Sequence, residues 1–205
     1  MAPSALEIIR IKLDVQPPAT WYNDLTSNAL KERKTDVVAR SYGFTGKSTE
    51  EFVWVNIYKN AFDYVSIDSP TRAEFALCIR NYSSKAPRTA VIKVDKLPSD
   101  EALYAILTEV SDLPFKKNLT IQEINALLKP KFDLEDQVRG VLGAAWSFEI
   151  NDDHRVVIFS GWKSVEDYED AITNHKEIFR EIVKNIREAL EDTYEVYATQ
   201  LKRVA

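Results

Sequence analysis

One cysteine, two histidines, one methionine and five glycines in 205 residues leave several kinds of chemistry without material. The single thiol, Cys78, cannot form an internal disulfide, and a lone cysteine fits a reducing compartment. No C-x-x-C, H-E-x-x-H, Walker A, G-x-G-x-x-G or G-x-S-x-G pattern occurs, so dithiol redox, zinc, nucleotide-phosphate and serine-hydrolase readings lack the residues their mechanisms need. Lys and Arg total 27 against 32 Asp and Glu and form no long run, and the formal net charge is −5. The electrostatic footprint of a nucleic-acid binder is therefore missing. Near the N-terminus the short apolar run around Ile8 and Ile9 carries Glu7 and Arg10, which suits neither a secretory signal nor a membrane span. These absences predict a soluble cytoplasmic protein with no nucleic-acid partner and no membrane partner.

What is present is material for a core. At 45% hydrophobic content, 205 residues suffice for one large domain or two small fused ones. The clearest stretch runs from Arg155 to Leu190. Val156, Ile158 and Ser160 alternate with Val157, Phe159 and Gly161 in the period of a strand. The run stops at Trp162, and Ser164 with Asp167 three positions on can cap a helix. From Val165 to Leu190 the apolar residues advance by threes and fours, with Glu166, Asp170, Glu177, Arg180, Glu181, Lys184 and Glu188 on the opposite side. That spacing predicts one amphipathic helix lying on the sheet, with His175 the ionisable residue on its covered face.

The rest of the chain falls into order around this stretch. Ile9, Ile11 and Leu13 predict a half-buried strand closed by Pro17-Pro18, and a helix follows from Thr20 to about Asp36. Val38 to Lys47 reads as extended and Phe52 to Tyr58 as a strand. Ala61 to Ile67 and Thr71 to Tyr82 read as helical pieces, with Ser69-Pro70 as the second one's start. Thr89 to Val94 returns as a strand, and Lys96 to Asp100 marks a boundary. Beyond it come a strand from Ala102 to Val110 and a helical stretch from Thr120 to about Val138, with a Thr120–Glu123 capping box and a break at Pro130. Gly140 to Ile150 reads as extended, Asn151 to His154 as a turn, and Tyr194 to Leu201 as the closing strand.

The predicted order is βαββαβ twice, over residues 1–96 and 97–205. Gly43-Phe-Thr-Gly46 maps onto Gly140-Val-Leu-Gly143 at an offset of 97, and these pairs hold four of the five glycines. Tyr58-Lys59-Asn60 maps onto Trp162-Lys163-Ser164, Tyr64 onto Tyr168 and Phe75 onto Phe179 at an offset of 104, and Val91 maps onto Val196 at 105. Such a pattern is that of a duplicated unit with insertions in its loops.

A G-x-x-G extended segment, a hairpin, a strand ending in Trp-x-Ser and an amphipathic helix containing Tyr and Phe resemble the antibiotic biosynthesis monooxygenase group of dimeric α+β-barrel proteins. The second half, Ala102 to Val204, carries the resemblance, and the first has Tyr58 where the Trp belongs and Asn60 for the Ser. The resemblance implies an α+β fold of two ferredoxin-like repeats forming a pseudo-dimeric barrel in one chain, as a monomeric pseudo-dimer or a homodimer. It implies ligand pockets between each sheet and its own helices, and two enzyme readings on an aromatic or polyketide-like hydrophobic substrate. One is oxygenation without a cofactor. The other is cyclisation, isomerisation or decarboxylation. A non-catalytic binding or stress-response barrel is the alternative.

If Trp162 faces the helices, strand parity places Ser160, Ile158 and Val156 with it, and by the repeat Tyr58, Asn56, Trp54 and Phe52. Trp54, Tyr58, Ser160, Trp162 and Tyr168 are the candidate substrate-binding residues, with core packing the plainer reading of Trp54, Tyr58 and Trp162. Asn56 and His175 are the candidate catalytic residues, Asn56 as a buried amide that needs partners and His175 as a base near neutral pH. A core histidine and an amide bonded to its neighbours are the plainer readings. His154, beside Asp152 and Asp153 in a polar turn, is not expected to hold a metal. Haem-handling relatives place a histidine on the helix after the Trp, but His175 is out of register with that place, so no haem is expected.

Overall fold

The computed structural model describes residues 4–18, 20–21, 37–45, 51–59, 77–94, 97–135, 137–174 and 176–203. The chain divides into two compact units, residues 1–96 with 202–205 and residues 97–201. The first contains β1 (Ser4–Lys12), β2 (Val37–Phe44), β3 (Glu51–Tyr58) and β4 (Arg88–Val94), joined by the short β9 (Lys202–Arg203). Its sheet runs β4-β1-β3-β2-β9 with every neighbour antiparallel. The second contains α1 (Asp100–Leu103), β5 (Leu107–Pro114), α2 (Ile121–Glu135), β6 (Val141–Glu149), β7 (Asp152–Trp162), α3 (Val165–Asn174), α4 (Lys176–Ala189) and β8 (Glu195–Thr199). Its sheet runs β8-β5-β7-β6, again antiparallel throughout. The fold class is α+β, and both sheets have the strand order of a ferredoxin-like unit, in which the first and third strands lie at the centre.

Pleating assigns the faces. In the first unit Ile9, Ile11, Phe52 and Trp54 pack with Trp21 and Ile79 in one apolar cluster. In the second, Leu113, Val156 and Ile158 pack against Ile124 and Leu128 of α2 and Ile186 of α4. Trp162 belongs to a neighbouring cluster with Val138 and Ala171, onto which Tyr168 packs. The helices are thus laid on the face that carries Val156, Ile158 and Trp162, with two buried faces in contact and a polar side left to water.

Several predicted elements are corrected. Residues 102–103 are helical, because Ser99 caps α1 by accepting from the Ala102 amide at 3.2 Å, and the strand begins only at Leu107. Pro130 does not break α2, since Ile124 and Leu128 before it are buried and Phe132 after it stacks on Trp146 at 5.5 Å. Tertiary packing on both sides of the proline holds one continuous helix. The stretch after Trp162 is helical over Val165–Asn174 and Lys176–Ala189, as its spacing predicts, and His175 between them lies outside the described residues. The hairpin is tighter than predicted: Glu149 pairs with Asp152, leaving Ile150 and Asn151 as the turn and placing His154 in β7. The predicted helices over 20–36, 61–67 and 71–82 lie largely outside the described residues; of those described, 21 and 77–79 are helical.

The glycine alignment is also corrected. Asn56 pairs with Glu7 and Arg40, and Ser160 pairs with Glu109 and Ala144, so Asn56 corresponds to Ser160, Glu7 to Glu109 and Arg40 to Ala144. Register irregularities fall at Val37/Ala39 and Val141/Gly143, equivalent places in the two sheets. Gly143 therefore corresponds to Ala39, not Gly46. Val91 pairs with Glu7 and Ala198 with Glu109, so Val91 corresponds to Ala198, not Val196.

Two glycines are required by close approach. Gly140 has φ 90°, and a Cβ there would lie 2.4 Å from Cβ of Asp167. At Gly161 a Cβ would lie 2.2 Å from the Ala102 carbonyl oxygen, so α1 rests directly on the β7 backbone.

Candidate functional site

The second unit holds a cavity of about 500 Å³ between its sheet and its helices. Glu109, Ser111 and Leu113 reach it from β5 because alternate residues share a face, Trp162 from the end of β7, and Val196 from β8. Tyr168 and Ile172 come from α3, and Val183 and Ile186 from α4. Ser164 fixes the start of α3: its Oγ accepts from the Asp167 amide at 3.0 Å and donates to Asp167 Oδ2 at 2.9 Å. This cap sets the first turn, which brings Tyr168 onto Trp162 with ring centroids 5.2 Å apart, edge to face.

Most of the wall's surface is apolar, and Glu109, Ser111, Lys131, Tyr168, Arg180 and Arg187 bring polar groups to it. Glu109 stands near enough to the Tyr168 hydroxyl to act on its ionisation, and it accepts a hydrogen bond from Ser111 Oγ at 3.2 Å. Burial pushes the Tyr168 phenol well above its ordinary value, with Glu109 adding to the same direction. Tyr168 therefore remains a neutral donor at neutral pH. Trp162 is 1% exposed, and its indole Nε1 has no hydrogen-bond partner. A buried donor without an acceptor costs about 1–3 kcal/mol. Trp162 lines the cavity, and its N–H, itself closed to solvent, is a donor left without an acceptor.

The equivalent region of the first unit is built differently. Trp54 Nε1 donates to Asn56 Oδ1 at 2.8 Å, Asn56 Nδ2 donates to Glu7 Oε2 at 2.8 Å, and the Tyr58 hydroxyl donates to the same oxygen at 2.6 Å. All four side chains are buried, Glu7 at 1% exposure. Trp54, Asn56 and Tyr58 are brought together, and their polar atoms are committed to one another through a carboxylate that sequence reasoning passed over. Ser160, the counterpart of Asn56, is fully buried beside Trp162 in sequence parity.

Asp152, Asp153 and His154 bring ligand-type atoms within 4.8 Å of one another. Those atoms already have partners. His154 Nδ1 contacts Asp153 Oδ1 at 2.7 Å, His154 Nε2 contacts the Leu119 carbonyl at 2.9 Å, and Lys117 Nζ donates to Asp152 at 2.6 Å. Since a carbonyl only accepts, Nε2 is assigned the proton. The cluster therefore ties the β6–β7 hairpin to the loop before α2.

Glu7, Glu109 and Ser111 were not among the sequence candidates, although the signal existed. Starting the first strand at Ile9 hid that Glu7 has the parity of Ile9 and Ile11, and Glu109 follows from Glu7 by the repeat.

Neither a family model nor a curated protein sequence matches the chain. Solved structures match it in shape. It is similar to an anthrone oxidase-like protein at a TM-score of 0.71 and 11% identity, over 99% of this chain and 94% of that one. It is similar to a candidate monooxygenase from Fusobacterium nucleatum subsp. nucleatum at a TM-score of 0.68 and 12% identity, over 98% and 94%. A candidate chlorite dismutase matches at a TM-score of 0.60 and 6% identity, over 98% and 96%. At these identities the likeness shows the fold. One fold under three such names leaves the activity to be argued from the site.

Proposed function

We propose that the protein is a small-molecule enzyme that oxidises a hydroxyaromatic or polyketide-like compound with molecular oxygen in the cavity of its second unit, without a bound cofactor. The observation that carries this reading is the unpartnered Trp162 N–H in the wall of an apolar cavity that also holds the Glu109–Tyr168 pair. The names of the structural neighbours, an anthrone oxidase-like protein among them, support it. Two copies of one module in the chain also fit it, with the matching strand registers as support.

The chemistry follows from the donors and the acceptor. Glu109 takes a proton from an activated ring CH₂, the electron pair spreads onto the ring oxygen, and the Trp162 indole, whose N–H is closed to solvent in the empty site, turns to donate to that anion. One electron passes to O₂, the resulting radical pair joins to form a C–O bond, and the peroxide anion takes back the proton from Glu109 to give the hydroperoxide. Loss of water from the hydroperoxide leaves the ketone, so CH₂ and O₂ become C=O and H₂O. Tyr168 and Ser111 fix the carboxylate, and Ile172, Val183 and Ile186 exclude water from the anion.

A second reading, proton transfer for cyclisation or isomerisation, is favoured by the same Glu109–Tyr168 pair, and oxygen consumption separates the two. Anthrone serves as the probe, with protein dialysed against a chelator, an oxygen electrode and the absorbance of the quinone. The expected result is one O₂ consumed per quinone formed, with the rate falling about 100-fold or more in Glu109→Gln. Quinone formation no faster than without protein, or a wild-type rate in Glu109→Gln, would overturn the assignment.

A further inference from the structure

The protein carries five more acidic than basic charges, yet the cavity lining reverses that balance: Lys131, Arg180 and Arg187 face one acid, Glu109. Glu109 is engaged with Tyr168 and Ser111 and does not neutralise the arginines. Arg180 and Arg187 stand two turns apart on α4, about 10 Å along its axis, on the side that also presents Val183 to the cavity. Lys184, on the other side of the same helix, reaches Glu188 at 3.8 Å. No described carboxylate lies within ion-pair reach of Arg180 or Arg187, and the Arg187 guanidinium lies over the ring of Tyr194, 5.8 Å from its centroid. Arg180 and Arg187 are exposed residues, and Leu113, Ile186, Leu190 and Val196 line the cavity with them.

We infer that this cavity selects a hydrophobic carboxylic acid, its apolar body against the sheet and its carboxylate at the rim between Arg180 and Arg187. The inference rests on the reading of this cavity as the small-molecule site. Guanidinium is suited to the task, because its planar fork meets both oxygens of a carboxylate while its stem stays on apolar surface. Two long side chains rooted about 10 Å apart can converge on one headgroup. An apolar wall with a cationic rim discriminates between an acid and its neutral isostere by charge, since both bury the same body.

The test uses a matched pair of fluorescent probes, 9-anthracenecarboxylate and 9-anthracenemethanol, titrated into the full chain. The wild type is expected to bind the acid about 10-fold tighter than the alcohol, a preference that shrinks as salt rises. In Arg180→Gln with Arg187→Gln the preference is expected to vanish while alcohol affinity stays within about 2-fold. Equal affinities in the wild type, or a preference that survives the double substitution, would overturn the selection of an acid and leave the cavity as the binding site. Failure of both probes to bind would remove the cavity reading itself, and the selection with it. Because both arginines are exposed, the double variant folds as the wild type does, which its circular dichroism and urea midpoint check.

Discussion

At the scale of single residues, the two units use a carboxylate on the central strand for opposite ends. Glu7 is closed in by Asn56 and Tyr58, while Glu109 stands beside Tyr168 and accepts from Ser111 at the edge of open volume. Removing Glu7 takes away the buried acceptor that the Asn56 amide and the Tyr58 phenol share. Glu7→Ala is therefore expected to cost about 2–5 kcal/mol in urea unfolding, and Tyr58→Phe, which removes one hydrogen bond to a charged group, about 1–3 kcal/mol. A Glu7→Ala variant as stable as the wild type would show that the chain of bonds from Trp54 to Tyr58 contributes nothing. Tyr168 gives a pH signature. Its phenol is raised in the folded state above the ordinary value near 10, so its contribution to stability is complete below about pH 10 and is lost as pH rises through the folded value. Wild-type stability should fall with pH above about 10 more steeply than that of Tyr168→Phe; parallel curves would place the phenol in water. Arg180 was misjudged from sequence for a simple reason. Charged residues opposite an apolar stripe read as solvated, but the edge of a stripe over a cavity is both exposed and part of the wall.

At the scale of elements, what could be read in the sequence was what repeats along the chain. Both capping boxes form, with Glu123 Oε2 accepting from the Thr120 amide at 2.7 Å and Ser164 on Asp167 as described. The strands of period two, Phe52 to Tyr58 and Val156 to Trp162, stand where alternation puts them. What could not be read depends on contacts between distant segments. The single turn of α1 is too short for any periodicity, and its seat is a glycine 59 residues further on, Gly161 against Ala102. Gly161→Ala would need α1 to move away, and the expected cost is about 1–3 kcal/mol or more in urea unfolding. Pro130 is the converse case. It sits exposed inside α2, where it denies the Ala126 carbonyl its donor, and packing on both sides holds the helix together regardless. Pro130→Ala restores that donor and should raise stability by about 1–3 kcal/mol. A lower midpoint would mean that the packing of Phe132 on Trp146 depends on the bend the proline imposes.

At the scale of the whole molecule, the repeat was legible in its spacing and misread in its glycines. A G-x-x-G match looks specific because glycine is scarce here, yet the strand registers pair Gly143 with Ala39. The offset of 104 at Tyr58 and Trp162 agrees with the pairing of the central strands because those positions sit at equivalent strand ends, where side chains are fixed by burial. The chain also does something that a count of elements does not foresee. After β8 closes the second sheet, residues 202–205 group with the first unit, and Lys202 and Arg203 pair with Tyr42 and Ser41 on the edge of β2. An edge strand so covered has its outward backbone groups protected from exchange. Deleting residues 202–205 should therefore speed amide exchange in the peptide Val37–Phe44 and leave exchange in β5 and β7 unchanged. Uniform acceleration across both sheets would show that the last strand stabilises the whole chain, and no change at β2 would show that two residues of pairing give no protection at all.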